Sequence, residues 1–361
     1  WSASQAAATT SFSLADGTYA SGAVQVRQTD LAGNVSTVTS STISWTIDTT
    51  LPSTPTLALT ADTGRNGLDD VTNNASVTVS GVEADATWQY STDSGSTWST
   101  AQAAATTTFS LAEGTYASGA VQVRQTDTAG NVSTVASSTS SWTIDTTLPS
   151  APSLALTADN GSSSTDGATN DNAITVSGVE TDATWQYSTD SGSTWSSAQS
   201  STSTSFTLAD GTYASGAVQV RQTDLAGNVS ATTSSNSSSW TIDTSAPSTP
   251  ALALAADTGS SNTDNITSNT SVNVTGVDTD ATWQYSTDSG STWSASQTAA
   301  TTSFTLADGT YATGAVQVRQ TDTAGNVSTV GSSTSSWTID ATLPSAPSLA
   351  LTADTGSSNT D

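Results

Sequence analysis

A close internal repeat limits what this chain can fold into more than any other feature. Trp1, Trp98, Trp195 and Trp293 open matching stretches, so the period is 97, 97 and 98 residues. Self-similarity at a fixed period means one structural unit used several times over. The additional residue of the third step falls between Asp224 and Trp240, and it reads as a bulge or slack in one last strand. All eight prolines recur in one context: Pro52 and Pro55, Pro149 and Pro152, Pro247 and Pro250, Pro344 and Pro347. Proline fixes φ, lacks a donor and restrains the residue before it, so these segments are short, semi-stiff linkers. The expected organisation is a partial copy at 1–50, complete copies at 51–147, 148–245 and 246–342, and a partial copy at 343–361. A chain that starts and stops inside a repeat is expected to be a piece of something longer.

Within the copy that starts at Leu51, apolar residues alternate with polar ones. Leu57 and Leu59, Val77 and Val79, Ala86, Trp88 and Tyr90, Phe109 and Leu111, Val121 and Val123, and Trp142 and Ile144 each share a face, with Ser, Thr, Gln or Arg opposite. Period-two alternation is the signature of half-buried strands, and no useful stretch has a helical period. About seven short strands are predicted. Only 34% of the residues are hydrophobic, a fraction that alone would suit a disordered chain. However, the rings of 11 Trp, 7 Tyr and 4 Phe fall at fixed places in these strands and are large enough to support small cores. With no cysteine, packing or metal must do what disulfides do elsewhere. The predicted class is all-β, with tandem immunoglobulin-like β-sandwich domains end to end.

Several motifs then point to a family. Trp88 on the third strand, Tyr116 in Glu113-Gly114-Thr115-Tyr116 at a tyrosine-corner position, and the hairpin Thr126-Asp127-Thr128-Ala129-Gly130-Asn131 resemble bacterial Ig-like domains. The joining motif Trp142-Thr143-Ile144-Asp145-Thr146, followed by Pro-x-x-Pro, resembles the tandem repeats in the extender regions of giant RTX or biofilm-type adhesins. The resemblance runs the length of the chain. It implies a secreted protein at the bacterial cell surface, exported by type I secretion, although glycine-rich calcium nonapeptides and an N-terminal retention module are not in this sequence.

Charge narrows the partners. The sequence has no lysine and no histidine, and its 31 acidic residues face 5 arginines for a net charge of -26. That balance excludes electrostatic binding of nucleic acid or of anionic membrane, both of which need clustered cations. No segment approaches 18 consecutive apolar residues, so no membrane insertion is expected. Neighbouring repeats and cations are the partners that remain.

Placed on an Ig topology, acids of adjacent copies meet at the linkers. The expected quartets are Asp48 with Glu83, Asp85 and Asp127; Asp145 with Glu180, Asp182 and Asp224; and Asp243 with Asp278, Asp280 and Asp322. Four carboxylates a few ångströms apart repel by about 1 kcal/mol per pair in water. Arg27, Arg124, Arg221 and Arg319 sit at one outward mid-strand position, away from the linkers. A hard divalent cation with oxygen ligands suits such sites, and calcium is expected there; the family resemblance implies the same. The loop Ala61–Asp70 is a second, weaker site, with Asp62 and Asp69, repeated as Asp159 and Asp166 and as Asp257 and Asp264. It lacks the spacing and the final bidentate Glu of an EF-hand.

Catalysis is not expected, since no histidine, lysine or cysteine is present to serve as base or nucleophile. The expected role is a structural extender, stiffened by calcium at its junctions, that holds a distal binding module away from the cell. Two rivals stand beside it: a subunit of a surface layer, sheath or filament, and a carbohydrate- or ice-binding module. Asn-Val-Ser sequons at Asn34, Asn131, Asn228 and Asn326 are assigned to the left-handed position of the hairpin turn. Trp98 and its copies are assigned to cross-strand packing rather than to sugar stacking.

Overall fold

A computed structural model describes residues 1–234 and 238–352. The chain divides into two compact units: Trp1–Ala151 with Val179–Trp185 and Arg221–Ala231, and Pro152–Gly178 with Gln186–Val220 and Thr232–Asp361. Every regular element among the described residues is a β-strand.

The first unit contains the copy at 51–147, whose alternating segments build three small sheets. In one, Ser76–Ser80 lies between Thr56–Leu59 and Thr108–Ser110, antiparallel to both. A second has the order Ala136–Ser137, Gln122–Thr126, Thr87–Ser91, Gln102–Ala103, with Val123 opposite Tyr90. In the third, Trp142–Ile144 pairs antiparallel with Gly114–Tyr116 and parallel with Val71–Thr72. The predicted strands are all present. Four short ones, Val71–Thr72, Gln102–Ala103, Gly114–Tyr116 and Ala136–Ser137, were less legible because a two- or three-residue bridge leaves no alternation to read.

One core lies between the sheets. Val77, Val79, Trp88, Phe109, Leu111, Val121, Val123, Trp142 and Ile144 pack together, and Trp88 is fully buried. Its indole N–H donates to the carbonyls of Ala103 and Thr106 at 3.2 and 2.9 Å, so burying the ring leaves no donor unpaired. Tyr90 stacks on Phe109 at 4.1 Å between ring centroids. The Tyr116 hydroxyl donates to the carbonyl of Ala112 at 3.0 Å, the tyrosine-corner bond expected from the sequence.

In the second unit, the copy at 246–342 has the same three sheets, with a core of Val272, Val274, Trp283, Phe304, Leu306, Val316, Val318, Trp337 and Ile339. The middle copy contributes to this unit the sheet Ser153–Leu156, Ala173–Ser177, Ser205–Thr207 and the sheet Ala168–Thr169, Trp240–Ile242, Gly211–Tyr213. Residues 235–237, within the stretch where the additional residue was placed, and 353–361 of the last partial copy lie outside the described residues.

Candidate functional site

The linkers are clamped from below by a buried glutamine. Gln125 continues the inward face of Val121 and Val123 and is fully buried. Its Nε2 donates to the Ser53 carbonyl at 2.7 Å and to the Gly81 carbonyl at 3.2 Å, while its Oε1 accepts the Glu83 N–H at 2.8 Å. Gln222 and Gln320 bind the carbonyls of Ser150 and Ser248 in the same way. The alternation places Gln122 and Arg124 on the outward face and does not by itself mark Gln125 as a polar core residue, although counting by twos from Val121 puts it on the inward side.

Above the clamp, the first predicted quartet shares one space. Asp48, Glu83, Asp85 and Asp127 all line an open cavity of about 290 Å³, together with Thr50, Leu51, Pro52 and Thr128. Local donors already hold much of this charge. Glu83 Oε1 accepts from the amide and hydroxyl of Ser53 at 3.0 and 3.1 Å, and Asp48 Oδ1 accepts the Thr50 N–H at 2.9 Å. Asp127 Oδ1 accepts the amides of Ala129 and Asn131, and its Oδ2 accepts the Asn131 side chain. That side-chain bond, with the turn amides, holds the Asp127 pKa below its ordinary value. Asp48 Oδ2, Glu83 Oε2 and both oxygens of Asp85 accept nothing from the described residues. Among the described residues, no three acidic side chains come close enough together to hold a metal ion as they stand. The hard-oxygen donor set and the shared cavity fit a divalent cation; the carboxylates would have to turn inward to ligate it.

The second quartet is pinned alike and the third in part, since the Ser248 hydroxyl donates to the Gly276 carbonyl rather than to Asp278. Asp145 Oδ1 accepts the Thr147 N–H and Glu180 Oε1 the Ser150 N–H, both at 3.0 Å. Asp243 Oδ1 accepts the Ser245 N–H at 3.0 Å. In the weaker loop site, Asp62 Oδ2 accepts the Asp70 N–H and Asp69 Oδ1 the Val71 N–H. Asp159 with Asp166 and Asp257 with Asp264 repeat those turns. In all three copies the other oxygen, Oδ1 of Asp62, Asp159 and Asp257, is buried without a hydrogen-bond partner. A buried, unpartnered carboxylate oxygen is costly, which makes it a fitting first ligand for a cation or an ordered water.

Successive copies also touch directly, through contacts the sequence reading did not foresee. In the first unit, the Arg65 N–H donates to the Leu225 carbonyl at 3.1 Å and the Asn73 N–H to the Ala226 carbonyl at 3.0 Å. In the second unit, the Ser162 N–H donates to the Thr323 carbonyl at 2.9 Å. Ala226 and Ala324 are each 1% exposed. Ala129, whose hairpin meets no such loop, is exposed. The approach is so close that a Cβ on Gly227 would lie 2.5 Å from the Thr63 carbonyl oxygen, and one on Gly325 would lie 2.6 Å from that of Asn160. Only glycine allows backbones this near one another.

The hairpin asparagine has a different task from the one predicted. The left-handed residue of the turn is Gly130, at φ 97°, with Gly227 at 93° and Gly325 at 95°. Asn131 instead reaches across the linker and donates to the Asp48 carbonyl at 3.0 Å. Asn228 and Asn326 do the same to Asp145 and Asp243 at 2.9 and 2.8 Å. Trp98 packs as expected: the Arg124 guanidinium lies 4.0 Å above its ring and also donates to Gln89 Oε1.

No helix among the described residues is long and apolar enough to cross a membrane. No curated protein sequence matches the chain. Similar solved structures include a tetra-tandem repeat in the extending region of a large adhesion protein, at 20% identity over 88% of this chain and 81% of that one, with a TM-score of 0.28. The fibronectin(III)-like modules of Clostridium thermocellum CbhA match at 16% identity over 49% of this chain and 90% of theirs, with a TM-score of 0.30. A structure concerning host cell surface retention of a 1.5-MDa bacterial ice-binding adhesin matches at 18% identity over 80% and 100%, with a TM-score of 0.25. Superpositions this loose do not bear on function. The sequence profile of the bacterial Ig-like domain matches residues 50–146 and 244–341, more than half of the chain. The chain therefore belongs to the bacterial Ig-like domain family.

Proposed function

We propose that this chain is a structural extender segment of a large bacterial cell-surface adhesin, with repeat boundaries at 51–147, 148–245 and 246–342. The observation that carries the reading is the joint. A loop of one copy docks on the hairpin of the next through backbone hydrogen bonds in the first unit, and an equivalent bond recurs in the second. Docking of this kind resists bending, because a hinge would have to break paired backbone groups. The role is mechanical: the repeats carry load and set distance, and no residue acts as a catalyst.

Calcium is the second part of the proposal. Asp48, Glu83, Asp85 and Asp127 would hold it at the first junction, with Asp145, Glu180, Asp182 and Asp224, then Asp243, Asp278, Asp280 and Asp322, at the next two. When bound, the ion supplies positive charge that offsets carboxylate repulsion. The buried oxygens of Asp62, Asp159 and Asp257 support weaker sites in the loops. Titration of metal-free protein with calcium chloride in a calorimeter tests this. Saturable heat whose tighter phase is lost in the Asp85→Asn, Asp182→Asn, Asp280→Asn triple variant, leaving at most a weak phase from the loops, is the expected result. Heat unchanged in that variant, or no heat in the parent, removes calcium from the account.

A further inference from the structure

The fifth arginine breaks the pattern of the other four. Arg65 stands in the loop at the junction, and the aligned positions of the later copies are Ser162 and Ser260. Its Nη1 donates to the carbonyl of Asp182 at 3.0 Å, while its own amide donates to Leu225. One residue therefore grips both the hairpin and the acid loop of the following copy. The acid loop responds in its backbone. Asp182 has φ 64°, in the left-handed region, while the aligned Asp85 and Asp280 are not among the residues with positive φ. Aspartate enters that region more readily than most side chains, but the aligned copies do not use it here. The carbonyl that Asp182 turns outward is the one Arg65 binds.

We propose that Arg65 is a built-in counter-cation for the junction of Asp145, Glu180, Asp182 and Asp224, so that this joint stays docked when divalent ions are withdrawn. The inference rests on the calcium reading above. A guanidinium is charged at every accessible pH and carries five donors. Held on the backbone of the acid loop, it offsets part of the repulsion that a bound cation would otherwise have to neutralise. The joint made by Ser162 has no such group, so the chain's junctions differ in their need for ions.

Hydrogen exchange on the full chain, read by mass spectrometry in calcium and in excess chelator, tests the proposal. Segments 61–73 and 158–170 differ in sequence and report separately on the two joints. In chelator, Arg65→Ser is expected to speed exchange of segment 61–73 roughly tenfold, as for loss of a charged hydrogen bond. Segment 158–170 is expected not to change. Arg65→Lys keeps the charge and is expected to restore most of the protection. Unchanged exchange of segment 61–73 in Arg65→Ser overturns the proposal, and so does a failure of Lys to restore it. Calcium is tested separately by wild-type segment 158–170: if its exchange is the same with and without the ion, the calcium reading fails, while the comparison of Arg65 variants in chelator still stands.

Discussion

Gly227→Ala should open one joint, and Gly130→Ala provides an internal control. Both glycines close the same hairpin turn, at φ 93° and 97°. An alanine in that left-handed conformation costs about 1–2 kcal/mol at either place. They differ in what the new methyl meets: nothing lies within 4 Å of a Cβ at Gly130, whereas at Gly227 it would sit 2.5 Å from the Thr63 carbonyl oxygen. Contact at van der Waals distance requires the loop to retreat by most of an ångström. That retreat breaks the bonds from Arg65 to Leu225 and from Asn73 to Ala226. Two backbone hydrogen bonds at about 0.5–1.5 kcal/mol each give a docking loss of about 1–3 kcal/mol. Amide exchange at Asn73 should then speed by roughly 5- to 150-fold in Gly227→Ala. The turn penalty appears in both variants, at the amides of Ser133 and Ser230 that pair with Gln125 and Gln222. If Asn73 exchanges equally fast in both variants, the close approach is not what holds the joint.

Two further perturbations probe the clamp and the acids. Gln125→Ala leaves the Glu83 amide and the Ser53 and Gly81 carbonyls without their buried partner, so this repeat should lose about 2–4 kcal/mol in chemical denaturation. Acid titration probes Asp93, Asp190 and Asp288, whose pKa values are lowered to about 2 by the hydroxyls and then the amides of Thr97, Thr194 and Thr292. A depressed carboxylate pKa contributes stability that is present above the unfolded value near 3.8 and lost as pH falls toward about 2. The melting temperature should therefore drop across that window, and drop less in a variant carrying Asp93→Asn, Asp190→Asn and Asp288→Asn.

The fold was legible because its signals are redundant. Trp88, Val77, Val79 and Ile144 obey period two in all three complete copies, and they and their counterparts are buried. Of the acid groupings, the first lines one open cavity, without its side chains gathering as a metal site. What the sequence did not disclose is how each carboxylate is already engaged. Ser53 on Glu83 and Asn131 on Asp127 are contacts set by turn geometry, which residue spacing does not encode. The same limit hid the docking surface. Gly64 and Gly227 read as ordinary turn glycines until the backbone of the adjoining copy is seen against them. Arg65 looked like one loop residue among others because its partner, the Asp182 carbonyl, is more than a hundred positions away.

The central claim is that these repeats act as a stiff spacer locked at its junctions, and small-angle scattering of the whole chain tests it most directly. Measured in millimolar calcium and again after chelation, the radius of gyration and the melting temperature should both change, with the interdomain scattering features blurring as the ions leave. Identical curves and identical melting in the two conditions would contradict the account.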